Sequence, residues 1–156
     1  MSATQQNTSG PKRIVVGVDG SASSKAALAW AARQAKLTGT PLVVVVTWEF
    51  PTSYGWPYQL PADLDLAGDA AAMLGATVSE VLGPHAGVDL SSAVVEGHPA
   101  PTLVEESKTA SLVVVGSRGH GEFAGMLLGS VSEFLTTHAH CPVVVVRDDG
   151  GEQQPS

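Results

Sequence analysis

The residues best suited to chemistry sit directly after a β-branched run, Val113-Val114-Val115. They read Gly116-Ser117-Arg118-Gly119-His120-Gly121, then Glu122 to Leu128, then Gly129-Ser130-Val131-Ser132. Glycines at the end of a buried strand let the backbone take positive φ and let a ligand approach main-chain amides, which is how phosphates are cradled. Ser130 and Glu133 have the spacing of a capping box, and Phe134 and Leu135 follow, so a helix is predicted to begin here. The free amides and dipole of that terminus favour an anion. Ser130 and Ser132 can add hydroxyl donors, and Arg118 can meet a phosphate with its guanidinium fork. A turn that only reverses the chain would account for one glycine cluster. Two clusters nine residues apart, tied to a helix start, point to an anion site. Neither GxxxxGKS, GxxxxGKT nor a post-strand GxGxxG occurs, which tells against a classical Walker A NTPase and a Rossmann dehydrogenase.

A second group closes the first apolar run: Gly17-Val18-Asp19-Gly20-Ser21. An acid at a strand end can hydrogen-bond a ribose or base, or hold a Mg²⁺ that bridges phosphates. Taken alone, Asp19 fits a turn or a cap on the next helix better than a ligand contact, and the glycine segment is what adds weight to the ligand reading. His138, His140 and Cys141 are close in sequence, but Pro142 and the apolar run behind it demand a sharp turn, so a structural turn is expected there and not a metal site. No acid or base is spaced to activate Cys141 as a nucleophile. His120 is placed to touch a phosphate, His98 to border a pocket, and His85 to face solvent.

These groups need a scaffold. Ile14 to Val16, Val43 to Val46, Val94-Val95, Val113 to Val115 and Val143 to Val146 do not alternate with polar residues, so strands buried on both faces are expected. Between them, Leu28, Ala31, Ala32 and Ala35 recur at helical spacing in a segment running from Ser21 to about Thr38, with Gly39 and Pro41 beyond. A second helix is predicted over about 62–82, with Leu66, Ala70, Met73, Leu74, Thr77 and Val81 on one face and Gly83-Pro84 as its stop. A short third helix is predicted from Pro99 to about Lys108, and a fourth from Ser130 to about Ala139. Strictly alternating strands and helices predict an α/β fold, a doubly wound five-stranded mostly parallel sheet sandwiched by helices, with ligands beyond the strands' C-terminal ends. Residues 49–61, with three prolines and several aromatics, read as an ordered loop packed on the domain; a ligand lid is the other reading.

The chain has 156 residues, one domain's worth, with 44% apolar and 15% charged residues. Residues 1–11 and 148–156 are expected to be disordered tails around a domain at 12–147. Eight Lys and Arg against fifteen Asp and Glu leave a net charge of −7, which repels nucleic acid and anionic lipid. One cysteine, no apolar leader and no run long enough to span a bilayer point to a soluble, cytoplasmic protein.

The pattern Gly116, two residues, Gly119, nine residues, Gly129, Ser130 resembles the nucleotide signature of the universal stress protein family, in its small single-domain, ATP-binding form. The likeness extends to IVVGVDGS at 14–21, VVTWEFP at 45–51, EGHP at 96–99 and CPVVVVR at 141–147. The resemblance implies a Rossmann-like fold that binds ATP with Mg²⁺ or Mn²⁺. By the same resemblance, Gly17, Val18 and Asp19 face the adenosine, with Asp19 a weak metal contact, and Thr47 lines the adenine pocket. Val115, Gly116, Arg118 and Gly119 meet ribose and phosphates, and Gly129, Ser130, Val131 and Ser132 hold the outer phosphates. Arg118 and Val46 stand where other members carry His. The resemblance also implies a homodimer paired through the last strand, Val143, Val144, Val145 and Val146, and an unknown protein partner that reads the nucleotide state. The expected role is a stress-response regulatory module, not an enzyme, or at most a slow ATPase. A nucleotide-free dimeric interaction protein of the same fold is the alternative.

Overall fold

Five strands and four helices alternate along the chain in the computed structural model, which describes residues 12–50, 64–84, 87–119 and 128–148. The terminal segments 1–11 and 149–156, most of the aromatic stretch (51–61), the predicted helix start at 62–63, His85, and 120–127 with His120 lie outside the described residues. The strands are β1 (Ile14–Gly17), β2 (Leu42–Trp48), β3 (Leu90–Glu96), β4 (Leu112–Gly116) and β5 (Val143–Val146). They form one sheet in the order β3-β2-β1-β4-β5, and every pairing is parallel. Val15 of the central strand is in register with Val43 on one side and Val113 on the other.

Helix α1 (Ala22–Thr38) starts where Ser21, in extended conformation, accepts a hydrogen bond from the Ser24 amide. It ends at Gly39, whose φ of 66° is the left-handed cap that glycine adopts without strain. Leu28, Ala31, Ala32 and Ala35 are all buried, as their spacing predicts. Helix α2 (Leu66–Leu82) is capped by Asp65, and α3 (Pro99–Ser107) opens on a proline at its first position. Helix α4 is Ser130–His138.

The sheet order explains how two layers of helix arise. β1 to β3 step one way and β4 to β5 the other, so crossovers of one hand place their helices on opposite faces. Accordingly α1 and α2 cover one face, where Leu28, Ala31 and Leu74 pack on Val16, Val44 and Val114. Leu103 of α3 and Leu135 of α4 pack on Val15, Val45 and Val113 on the other. Each such leucine or valine, removed from water, contributes about 1.5–3 kcal/mol.

Burial on both faces holds for β1, β2 and β4 but not for the third strand. β3 lies at the sheet's edge, alternates between half-buried and exposed residues, and leaves Val94 38% exposed. It is also longer than its valines suggested, because Leu90 and the serines at 91 and 92 pair with Leu42 to Val44. β5, at the other edge, is half-buried throughout. No helix among the described residues is long and apolar enough to cross a membrane.

Candidate functional site

In a doubly wound sheet the strand order reverses between two neighbours, and their C-terminal ends part to leave a crevice. Here those neighbours are β1 and β4. Their last residues, Gly17 and Gly116, open onto a cleft of about 180 Å³. Its apolar wall is formed by Val18, Val45, Val46, Met73, Leu103 and Val115, and its polar rim by Asp19, Ser24, Thr47 and Arg118. Gly119, Gly129, Val131 and Ser132 complete it on the side of α4. One acid and one guanidinium thus border a predominantly aliphatic slot, an arrangement suited to a ligand with a flat apolar body and an anionic end.

The glycines earn their places by closeness. None of Gly116, Gly119 and Gly129 has a positive φ, contrary to the expectation from the loop's composition. At Gly116 a β-carbon would lie 2.6 Å from the Ser23 carbonyl carbon, so only glycine lets β4 end against the first turn of α1. At Gly119 a β-carbon would lie 2.8 Å from Asp19 Oδ2, which brings the two halves of the polar rim together. Asp19 is fixed from its other oxygen: Oδ1 accepts from the Ser21 amide at 2.9 Å and from the Ser21 hydroxyl at 2.5 Å.

The entry to the glycine segment is held by backbone and serine hydroxyls. The Ser117 amide donates to Val146 O at 2.8 Å, and the Gly129 amide donates to Ser117 O at 2.5 Å, which closes the two ends of the segment on each other. Ser132 Oγ, on a side chain that is almost wholly buried, donates to Ser117 O at 3.2 Å and Gly129 O at 3.1 Å. The predicted capping box is not formed. Gly129 is the N-cap, in extended conformation with φ −77° and ψ 170°, and has no side chain with which to cap the helix. Ser130 falls one position too late to cap; it is exposed and does not line the cleft. The amides of Ser130, Val131 and Ser132 occupy the first turn, where no intrahelical carbonyl can reach them, while the Glu133 amide is the first to find one, on Gly129.

Thus Gly17, Val18, Asp19, Thr47, Val115, Gly116, Arg118, Gly119, Gly129, Val131 and Ser132 line one cleft, and Ser130 stands beside it. The residue-level reading missed Ser24, Val45, Val46, Met73, Pro99 and Leu103. Met73 and Leu103 look like ordinary core positions of amphipathic helices, and only the packing of α2 and α3 over the strand ends brings them to the ligand's side. His98 is not in the lining, although its neighbour Pro99 is. Its Nδ1 instead faces Glu49 Oε2 at 3.0 Å, at the surface. His138 stacks on Phe134 with ring centroids 4.0 Å apart, and Cys141 Sγ donates to Pro142 O. Burial pushes the Cys141 thiol above its ordinary pKa, opposed by a backbone hydrogen bond at Val113.

Residues 10–147 match the family model for the universal stress protein family. The chain belongs to that family. Among curated universal stress proteins, Rv2623 of Mycobacterium tuberculosis is 40% identical over 145 residues, covering 87% of this chain and 48% of its own length. A universal stress protein of Mycolicibacterium smegmatis is 38% identical over 143 residues, with the same coverage. The chain therefore spans about half the length of the curated relatives it matches. Among solved structures, a universal stress protein in complex with cAMP is similar with a TM-score of 0.63 and 29% identity, covering 88% of this chain and 98% of that one. UspA from Lactobacillus plantarum shares the fold, with a TM-score of 0.62 at 23% identity over 90% of this chain and 100% of its own. In this universal stress protein domain the signature glycines Gly116, Gly119 and Gly129 all reach the cleft.

Proposed function

We propose that the cleft binds an adenine nucleotide, with ATP as the ligand, and that occupancy is a regulatory state read by another protein in a stress response. The observation that carries this is the convergence, in one crevice at the sheet's switch point, of an aliphatic slot, the tightly packed Gly116 and Gly119, and the glycine-capped first turn of α4. The base fits the slot between Val18, Val46 and Met73, with Thr47 at its edge. Phosphates fit the first-turn amides of α4, whose dipole favours negative charge. Arg118 supplies a cation on the same rim. The similar universal stress protein solved with cAMP lends support for an adenine ligand.

The residues present also fit a divalent cation carried in with the phosphates. Asp19 is a carboxylate on the rim, and Mg²⁺ or Mn²⁺ is commonly held by one or two carboxylates together with phosphate oxygens. Catalytic turnover is not proposed, because phosphoryl transfer needs a positioned base or water in addition to charge. Asp19, the acid on the rim, has one oxygen engaged by Ser21. We further propose a homodimer formed along β5, whose outer edge has no strand beside it among the described residues.

The test is to purify the protein without added nucleotide, denature it, and identify the released small molecules by chromatography and mass spectrometry. Where none is released, ATP is titrated in with Mg²⁺. Near-stoichiometric adenine nucleotide, or saturable ATP binding with hydrolysis below about one turnover per minute, is expected. Neither release nor binding would leave an interaction protein of the same fold as the better reading.

A further inference from the structure

Ser23 belongs to the first turn of α1 and is only 6% exposed, yet its hydroxyl does not serve its own helix. Ser23 Oγ accepts from the Arg118 amide at 3.2 Å and donates to the Arg118 carbonyl oxygen, so one hydroxyl grips both polar atoms of one residue 95 positions away. Capping of α1 is already provided by Ser21, and Ser24 turns to Ser21 O and to the Asp19 amide. Ser23 is thus left to face β4, and the absence of a side chain at Gly116 is what lets it come so close. Arg118 lines the cleft. From the opposite side Ser132 Oγ and the Gly129 amide hold Ser117 O. The two residues that enter the glycine segment are therefore clamped between α1 and α4.

We propose that Ser23 is a positioning residue of the phosphate-binding wall: by fixing both polar atoms of the Arg118 backbone, it sets where Arg118 and Gly119 stand relative to the first turn of α4. This rests on the nucleotide reading above and adds to it a residue outside the glycine signature. Because the Arg118 amide is taken up by Ser23 and the Ser117 amide by Val146, the first two amides of the segment serve the fold. Phosphate affinity then depends on how accurately they are held.

The discriminating experiment compares ATP with adenosine, which shares the base and ribose but has no phosphate, by calorimetric titration of wild type, Ser23→Ala and Ser107→Ala. Ser107 is likewise a buried hydroxyl, which links Val104 O to the His140 amide and is not part of the cleft lining, so it controls for general loosening. Loss of the Ser23 hydroxyl is expected to weaken ATP about five- to tenfold and leave adenosine unchanged. Ser107→Ala should leave the ATP-to-adenosine ratio at the wild-type value. Equal weakening of both ligands in Ser23→Ala, or no weakening of either, overturns the proposal. Wild type that binds neither ligand overturns the nucleotide reading and this inference with it, an outcome read before any variant is made. Should Ser23→Ala not fold, amide hydrogen exchange on the wild type decides. The Arg118 amide is expected to be protected without ligand, and exchange at the rate of an unstructured peptide would refute the clamp.

Discussion

Gly119 and Asp19 meet so closely that the identity of one restricts the other. In Gly119→Val the new β-carbon would fall 2.8 Å from Asp19 Oδ2, and the branched side chain behind it would fill the rim. ATP affinity is expected to fall by at least about tenfold with little loss of thermal stability, since the cost lands on a surface carboxylate. Titration of the variant alongside a melting curve checks both halves. Gly116→Ala should in addition cost stability. Its methyl would press on the Ser23 backbone, which cannot swing aside, and an overpacking cost of about 1–3 kcal/mol is expected in urea denaturation. Cys141 offers a pH test. Its raised pKa keeps the thiol neutral in the folded state, so its stabilising contribution is complete below the ordinary thiol range and is lost as pH rises through the raised folded value. Alkylation by iodoacetamide at pH 8 should be slower than for an unstructured cysteine peptide and recover on unfolding. The glycine spacing was legible in the sequence because glycine has one outstanding property, the lack of a side chain. Ser23 was not, because a serine in the first helical turn looks like any other until β4 is laid against it.

Helix ends show how far local chemistry carries at the next scale. Ser21→Ala removes the bond from the Ser24 amide and one of the two bonds to Asp19 Oδ1, and should cost about 1 kcal/mol, measurable by denaturant titration. Because Asp19 loses a partner, the same change should weaken ATP, whereas a purely local cap would not. The extents of α1, α3 and α4 follow from the sequence to within a residue, since a serine cap, a proline and a glycine mark their three starts and Gly39 marks the end of α1. The start of α4 was right for a different reason from the one its serine suggested. A capping box needs the hydroxyl at the N-cap, and Gly129 occupies that position. A glycine N-cap is the more useful outcome for an anion site, because it brings no side-chain oxygen of its own to compete for the first amides. β3 was legible as a strand but not as an edge, since edge or centre is decided by strand order and not by any residue within the strand.

For the whole molecule, the sheet order β3-β2-β1-β4-β5 leaves two strands open to pairing, and the valines of β5 are the more apolar of the two. Light scattering is expected to give a dimer for the wild type and monomer for Val145→Lys, with far-UV circular dichroism unchanged; a variant still fully dimeric would exclude pairing through β5. The sheet order also bears on how the protein is assembled in time. Pairing within β1, β2 and β3, and between β4 and β5, joins nearby stretches of chain. The join between β1 and β4 does not, as the Ser111 amide and hydroxyl reach Arg13 O across 98 positions. Long-range closure of this kind is slow, because the loop entropy is lost before the contacts form. The crevice between β1 and β4 therefore sits at the pairing that closes the longest stretch of chain, and it exists only after that pairing has formed. A ligand seated there binds the finished chain alone, so it should slow unfolding as well as raise the melting temperature, and a newly made molecule would become able to bind the proposed nucleotide only at the moment this closure is complete.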